Sequence, residues 1–191
     1  MTGIWVIFEG PDGAGKTGLA AATATILADP RTNGGAPTVL QHLTSTSDFE
    51  EYCQPRMWTR VNLNVVQDRS LISDLVYAPV WKGIPSRLGE ERVRREMKTH
   101  AYLALVIHVT ASEEVLLQRM RDRSDMREAA DPEEGQMHAL LKNYWREMSW
   151  WRSIGATLLE IDTSDGHFPS GIELELLLSV GLERLAKTHG G

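Results

Sequence analysis

Cysteine, positive charge, long apolar runs and internal repeats are what this 191-residue chain has least of, and each scarcity closes a class of explanation. Its single cysteine, Cys53, has no internal partner, so the fold is not held by a disulfide framework. The six histidines, at positions 42, 100, 108, 138, 167 and 189, include no pair at a tight metal-ligand spacing, which argues against structural zinc. No segment approaches the roughly 18 consecutive apolar residues of a membrane span, and the chain enters a strand at once, without a basic leader or cleavage site. A cytoplasmic protein with no membrane contact is expected. Against 26 Asp and Glu stand only 20 Lys and Arg, a formal net charge of −6, which is the wrong sign for a broad nucleic-acid footprint. Most of the basic residues nevertheless fall between Arg56 and Arg127, a bias that focuses positive potential in one cleft and suits a small anionic substrate.

Short apolar runs alternate with longer amphipathic ones, the pattern of a parallel sheet covered by helices. Five strands are predicted, at 4–8, 38–41, 63–67, 103–109 and 157–161, each mostly apolar or β-branched. The length suits one compact α/β domain. A first helix is predicted from Lys16 to Ala28, stopped by Asp29-Pro30 because proline cannot continue the hydrogen-bond ladder. Capping chemistry marks later helix starts at Ser47 with Glu50, Asp131-Pro132 with Glu134, and Ser170 with Glu173. Met137, Leu141, Tyr144, Met148 and Trp151 recur at helical spacing, as do Leu174, Leu177, Leu178, Leu182 and Leu185, and both sets are read as packing faces.

Between the first strand and the first helix runs Gly10-Pro11-Asp12-Gly13-Ala14-Gly15-Lys16-Thr17, an uninterrupted G-x-x-x-x-G-K-T loop. Its glycines let backbone N–H groups converge on a phosphate, Lys16 reaches the terminal phosphates, and the Thr17 hydroxyl faces Mg²⁺. Gly10, Asp12, Gly13, Ala14, Gly15, Lys16 and Thr17 are therefore the expected ATP-binding residues. The second feature, Asp68-Arg69-Ser70, follows the third predicted strand at the carboxyl end of the sheet, where ligands of open α/β folds collect. Asp68 there suits Mg²⁺ through water, and Arg69 a bidentate grip on phosphate.

These blocks, with Phe8-Glu9 ahead of the loop, Ser73 and Tyr77 downstream and an arginine-rich segment after the fourth strand, resemble the thymidylate kinase group of P-loop nucleoside monophosphate kinases. The resemblance implies a single domain over 1–191 with a three-layer P-loop kinase fold: a five-stranded parallel sheet flanked by helices, its P-loop strand near the centre, and an arginine-rich lid at about 119–130. It implies transfer of the γ-phosphate of ATP to a deoxynucleoside monophosphate, with Asp12 on the acceptor sugar and Arg69 on the acceptor phosphate. Lid closure would bring guanidinium groups to the charge that develops on the transferred phosphoryl. Arg123 and Arg127 are favoured for that role, with Arg119 and Arg121 as alternates and Arg119 also counted on the ATP side. A homodimer is a reasonable default for such a kinase.

Base reading is not assigned by the resemblance, because the usual insertion between P-loop and Asp68 has no counterpart that aligns. Phe49, Tyr52, Trp58, Tyr77 and Trp81 are each candidates to stack on a base, and His42, Arg87 and Arg95 to line the acceptor cleft. Glu9 is read as mainly structural, since an ionised phosphate acceptor needs no general base. Two other readings remain open at this level. One is a kinase for a hydroxyl of a nucleoside or of a modified base in DNA, with Glu9, Asp12 or Asp68 as base. The other is a nucleotide-hydrolysing switch, although no Asn-Lys-x-Asp guanine-reading pattern is present.

Overall fold

The computed structural model describes residues 3–33, 36–81, 83–122 and 135–189. In chain order the elements are β1 (Trp5–Glu9), α1 (Lys16–Ala28), α2 (Pro30–Asn33), β2 (Thr38–His42), α3 (Phe49–Cys53), α4 (Pro55–Arg60), β3 (Asn64–Asp68), α5 (Leu71–Trp81), α6 (Glu90–His100), β4 (Leu105–Thr110), α7 (Glu113–Asp122), α8 (Gln136–Ser153), β5 (Thr157–Asp162) and α9 (Gly171–His189). The five strands form one all-parallel sheet in the order β2-β3-β1-β4-β5, so the P-loop strand is central. Helices cover it on both sides in a three-layer α/β arrangement: α1 and α9 pack on each other and on the sheet, while α5, α6 and α8 form a second group. β1 and β3 are buried along their whole length and β4 along all but its last residue. Near-continuous apolar runs such as Trp5-Val6-Ile7-Phe8 are what strands covered on both faces require.

Both apolar stripes pack as read. Met137, Tyr144, Met148 and Trp151 on α8 are buried, with Leu141 partly so, and the Trp151 indole donates to the Met97 carbonyl at 3.2 Å. On α9, Leu174 and Leu178 enter the core, and Ile172, Leu176 and Val180 stand exposed on another face. None of the described helices is long and apolar enough to cross a membrane.

Three boundaries differ from expectation. The cap of α3 is Asp48, not Ser47: the Asp48 carboxylate accepts from Glu51 N at 2.9 Å, and the Glu51 carboxylate accepts from Asp48 N at 2.8 Å. Ser47 instead closes the preceding turn by accepting from Thr44 N, so the capping box sits one residue later than the Ser47/Glu50 pair. β4 begins at Leu105 because the N–H groups of Leu103 and Ala104 both turn back to the His100 carbonyl at the end of α6. Leu63 is likewise held by the Trp58 carbonyl of α4, which delays β3 to Asn64. The Asp131-Pro132 cap lies outside the described residues.

Candidate functional site

β1 delivers the chain into the phosphate-type loop under tight backbone contact. Gly10 has φ +145°, and a Cβ there would lie 1.9 Å from the Val109 carbonyl oxygen of β4, so no side chain fits. Gly15, at φ 94°, caps α1 without a side-chain hydrogen bond, which leaves first-turn N–H groups of that helix directed into the loop. Lys16, only 5% exposed, donates to the Pro11 carbonyl at 2.8 Å and lies 3.9 Å from the Asp12 carboxylate. Burial, with Arg69 nearby, lowers its ammonium from the usual lysine range to about 8, against the pull of Asp12, Asp68 and Glu9.

The second half of the site comes from the end of β3. Arg69 N donates to the Phe8 carbonyl at 2.9 Å, extending the β1–β3 ladder by one step, and Arg69 itself takes φ 78°. An arginine in the left-handed region is a strained choice that the neighbouring pairings must impose. Its guanidinium bonds the Asp12 carboxylate and lies 5.3 Å from the centroid of the Tyr77 ring, while the Tyr77 hydroxyl accepts from Asp12 N at 3.1 Å. Burial works to raise Asp12, but the charges of Arg69 and Lys16 outweigh it and hold the carboxyl below its ordinary value. Asp12, Lys16, Arg69 and Tyr77 thus form one contact group from the loop, the β3 end and α5.

Asp68 forms a second group beside it. Thr17 Oγ1 donates to Asp68 Oδ2 at 2.7 Å and His42 Nδ1 lies 3.1 Å from the same oxygen, while Asp68 Oδ1 is buried and has no hydrogen-bond partner. An orphaned carboxylate oxygen next to a hydroxyl is an all-oxygen donor set of the kind a hard divalent cation takes. These residues fit Mg²⁺. His42, about half exposed at the end of β2, is paired with the Asp68 carboxylate.

Glu9 is fully buried and saturated. It accepts from Ser70 N at 2.5 Å, Ser70 Oγ at 2.7 Å, Ser73 Oγ at 3.0 Å and Tyr144 Oη at 3.3 Å. Burial raises its pKa despite those donors. Its structural role, and that of Ser73, follow from this network, which staples α5 and α8 to the root of the loop.

The remaining sequence candidates are more scattered. Arg119 on α7 donates to the Gly13 carbonyl at 3.2 Å, to Thr163 Oγ1 at 2.8 Å and to the Thr163 carbonyl at 2.6 Å, and its guanidinium lies 4.9 Å from the Phe168 ring centroid. It braces the loop from the β5 side, with Phe168 so close to Gly15 that a Cβ there would fall 2.2 Å from the ring. Arg87 is spent between α5 and the 44–48 turn, donating to the Ser47 carbonyl at 2.5 Å and lying 3.6 Å from Asp74. Tyr52 is a core residue whose hydroxyl donates to the Thr44 carbonyl, and Phe49 is covered by the Arg92 guanidinium at 3.5 Å. Tyr77 and Trp81 stack on each other with centroids 6.3 Å apart. Arg123 and Arg127 lie outside the described residues. Thr163, Phe168 and Tyr144 join the site without having been singled out for it: Thr163 and Phe168 carry no motif, and Tyr144 reads only as part of a packing stripe.

The Glu9 network makes a stability prediction. Glu9→Leu leaves the Ser70 N–H and three hydroxyls without their acceptor and is expected to cost about 2–5 kcal/mol, read as a lower urea midpoint at unchanged slope. Glu9→Gln keeps a carbonyl for Ser70 N–H and is expected to recover most of that loss. Equal losses in the two variants would show that charge, not acceptor geometry, is what the site requires.

No protein-family model matches the chain, and no curated protein matches it in sequence. Among solved structures it is similar to the YorR protein of Bacillus subtilis, whose crystal structure is a complex with phosphorylated GDP. The TM-score is 0.63 at 24% identity over 94% of this chain and 96% of that one. A likeness at that identity establishes the fold: this chain has the same three-layer architecture, consistent with that of P-loop kinases, along nearly its whole length.

Proposed function

We propose that the protein is a nucleoside monophosphate kinase that transfers the γ-phosphate of ATP to a deoxynucleoside monophosphate, a dTMP-like acceptor included, to give the diphosphate and ADP. The observation that carries this reading is the joining of Arg69 to Asp12 within reach of Lys16. A loop for one phosphate chain and a separate guanidinium at its head, tied to a loop carboxylate, are what two anions need in order to meet in line. The nucleotide seen in YorR is in keeping with a nucleotide ligand on this fold.

In this reading the loop N–H groups and Lys16 hold the donor, Arg69 aligns the acceptor phosphate, and Asp12 contacts the acceptor sugar. Tyr77 orients Arg69 from below, with Trp81 extending the aromatic wall on which a base can stack. Thr17 and Asp68 would hold Mg²⁺, whose charge neutralises the donor phosphate oxygens. His42 fixes Asp68, Arg119 shapes the loop through Gly13, and the segment about 119–130 supplies Arg123 and Arg127 to the transferred phosphoryl on closure. No general base is required, since a phosphate acceptor is already ionised. The carboxylates agree: Glu9 is consumed by four hydrogen-bonding groups' worth of structure and Asp12 by Arg69.

The free oxygen of Asp68 favours one second reading, a hydroxyl-directed kinase with Asp68 as base. Incubation with ATP and, in turn, deoxynucleoside monophosphates, nucleosides and modified DNA separates these outcomes. Diphosphate and ADP in equal amounts are expected. A phosphorylated hydroxyl product would transfer the assignment to the second reading, and ADP with inorganic phosphate alone would leave only a hydrolase.

Arg69→Met is expected to lower kcat/KM for the acceptor about 10²–10³-fold while KM for ATP changes far less, and Arg69→Lys to recover only part, because an ammonium lacks the two-pronged grip. Equal losses for both substrates would place Arg69 outside the acceptor subsite. Lys16 sets a pH dependence. In the free protein its charge is lost as pH rises through about 8, so kcat/KM for ATP should fall by up to about tenfold per unit above that point, whereas a bound phosphate raises the lysine and moves the fall in kcat to higher pH. The stability effect runs oppositely: with a folded pKa below the unfolded one, Lys16 destabilises most below pH 8 and less as pH rises toward 10.5. Lys16→Met should therefore bind ATP poorly yet be at least as stable as the parent at neutral pH. A variant that is markedly less stable would refute this account of the buried lysine.

A further inference from the structure

Away from the loop, the end of α3 meets the end of α6 in a cluster that the proposed reaction does not use. Cys53, the last residue of α3, and Glu96 and His100, one turn apart on α6, bring a sulfur, a carboxylate oxygen and a ring nitrogen within 4.8 Å of one another. His100 is 1% exposed, and neither of its ring nitrogens has a hydrogen-bond partner. Nε2 lies 3.3 Å from Glu96 Oε1, a contact that helps hold the Glu96 carboxyl below its ordinary value but is not aligned as a hydrogen bond, Nδ1 has no partner, and the Trp5 ring packs edge-on at 4.5 Å between centroids, offering no acceptor. A buried imidazole left unsatisfied costs about 1–3 kcal/mol, so the arrangement calls for a ligand that takes a nitrogen lone pair.

We propose that Cys53, Glu96 and His100 bind a thiophilic divalent cation of the zinc class, with water as the fourth ligand. The donor set is a mixture of sulfur, nitrogen and oxygen that such an ion accepts in tetrahedral geometry. At metal distances of about 2.0–2.3 Å the donors stand roughly 3.3–3.7 Å apart. The required contraction is about 1 Å, within reach of a rotation of Glu96, which is the least buried of the three. Arg56 Nη1 donates to Glu96 Oε1 at 2.7 Å and so orients the carboxylate that would supply the oxygen ligand. Burial lowers the His100 pKa, which keeps the ring in the neutral form that ligates, and pushes the Cys53 thiol up to about 12, which rules it out as a free nucleophile. On binding, the cation replaces the thiol proton, a sulfur–metal bond forms, and one proton leaves to solvent. The result is a clamp between α3 and α6, which are otherwise joined by the Arg92 pairing with Glu50 and by its stacking on Phe49. Histidine spacing did not expose the site because its ligands come from two helices and include one histidine only.

The full-length protein, reduced and metal-free, is titrated with Co²⁺ as a spectroscopic probe and then with Zn²⁺. Cys53 is the only cysteine, so any thiolate-to-cobalt charge-transfer band reports this residue alone. One equivalent should saturate the band, Zn²⁺ should displace it, and Zn²⁺ at a hundredfold excess over Kd should raise Tm by about 5–10 °C. Cys53→Ser should abolish the band, and Glu96→Gln, a change that keeps the side chain's shape at a 16% exposed position, should weaken binding at least about tenfold. Absence of both band and Tm shift in the parent would overturn the proposal. So would a band of unchanged affinity in Glu96→Gln, which decides the matter even if the Cys53 variant fails to fold.

Discussion

The site depends on a lateral pairing between two strand ends. β1 and β3 run in register with Phe8 opposite Asp68, and the next N–H, that of Arg69, bonds back to the Phe8 carbonyl. That one hydrogen bond holds the turn after β3 level with the turn after β1, so the loop that opens at Gly10 and the Asp68-Arg69 pair stand side by side. Glu9 then completes the lock by taking the Ser70 N–H and the hydroxyls of Ser70 and Ser73. A slip of one residue would exchange the faces of Asp68 and Arg69, send the guanidinium away from Asp12 and remove the Thr17–Asp68 contact. The positive φ of Arg69 is the local cost of this register, and its return is a guanidinium turned onto the loop.

The loop and its flanking strand and helix were legible in the sequence because each demand is local: an apolar run, glycines where a side chain would strike backbone, a lysine opening a helix. The three central strands β1, β3 and β4 are covered on both faces and so written as mostly apolar runs, whereas β2 and β5, only partly covered, were legible from short apolar and β-branched stretches. Their ends were less legible, because what stops β3 at Asn64 and β4 at Leu105 is a carbonyl at the end of another helix, Trp58 in one case and His100 in the other. The shift of the α3 cap from Ser47 to Asp48 has a similar origin, as two adjacent residues offered the same chemistry and the turn from Thr44 claimed the first.

Site residues divide along the same line. Asp12, Lys16, Thr17, Asp68 and Arg69 carry type and spacing, and they meet. Thr163 and Phe168 carry neither, and they come to the loop only because β5 lies next to β4 and its following turn folds over Ala14 and Gly15. Tyr144 shows one position serving two purposes: its ring fills the core stripe of α8 while its hydroxyl reaches Glu9. Periodicity registers the ring and says nothing of the hydroxyl.

Charge explains how an acidic chain would hold the two anions of the proposed reaction. Lys16 and Arg69 are brought together at a cost, since Lys16 is buried, Arg69 is partly so, and Arg69 lowers the lysine further. Asp12 makes that proximity tolerable by contacting both. It also sets the order in which charge is exchanged. In the proposed reaction a phosphate arriving on Arg69 would share the guanidinium with Asp12, whose second neighbour, Lys16, would turn toward phosphates held by the loop. The carboxylate is thereby left with fewer cations and becomes a better acceptor for a sugar hydroxyl. In the proposed reaction, occupation of the donor and acceptor phosphate positions would thus prepare Asp12 for its sugar contact, so that one residue of the loop responds to both anions.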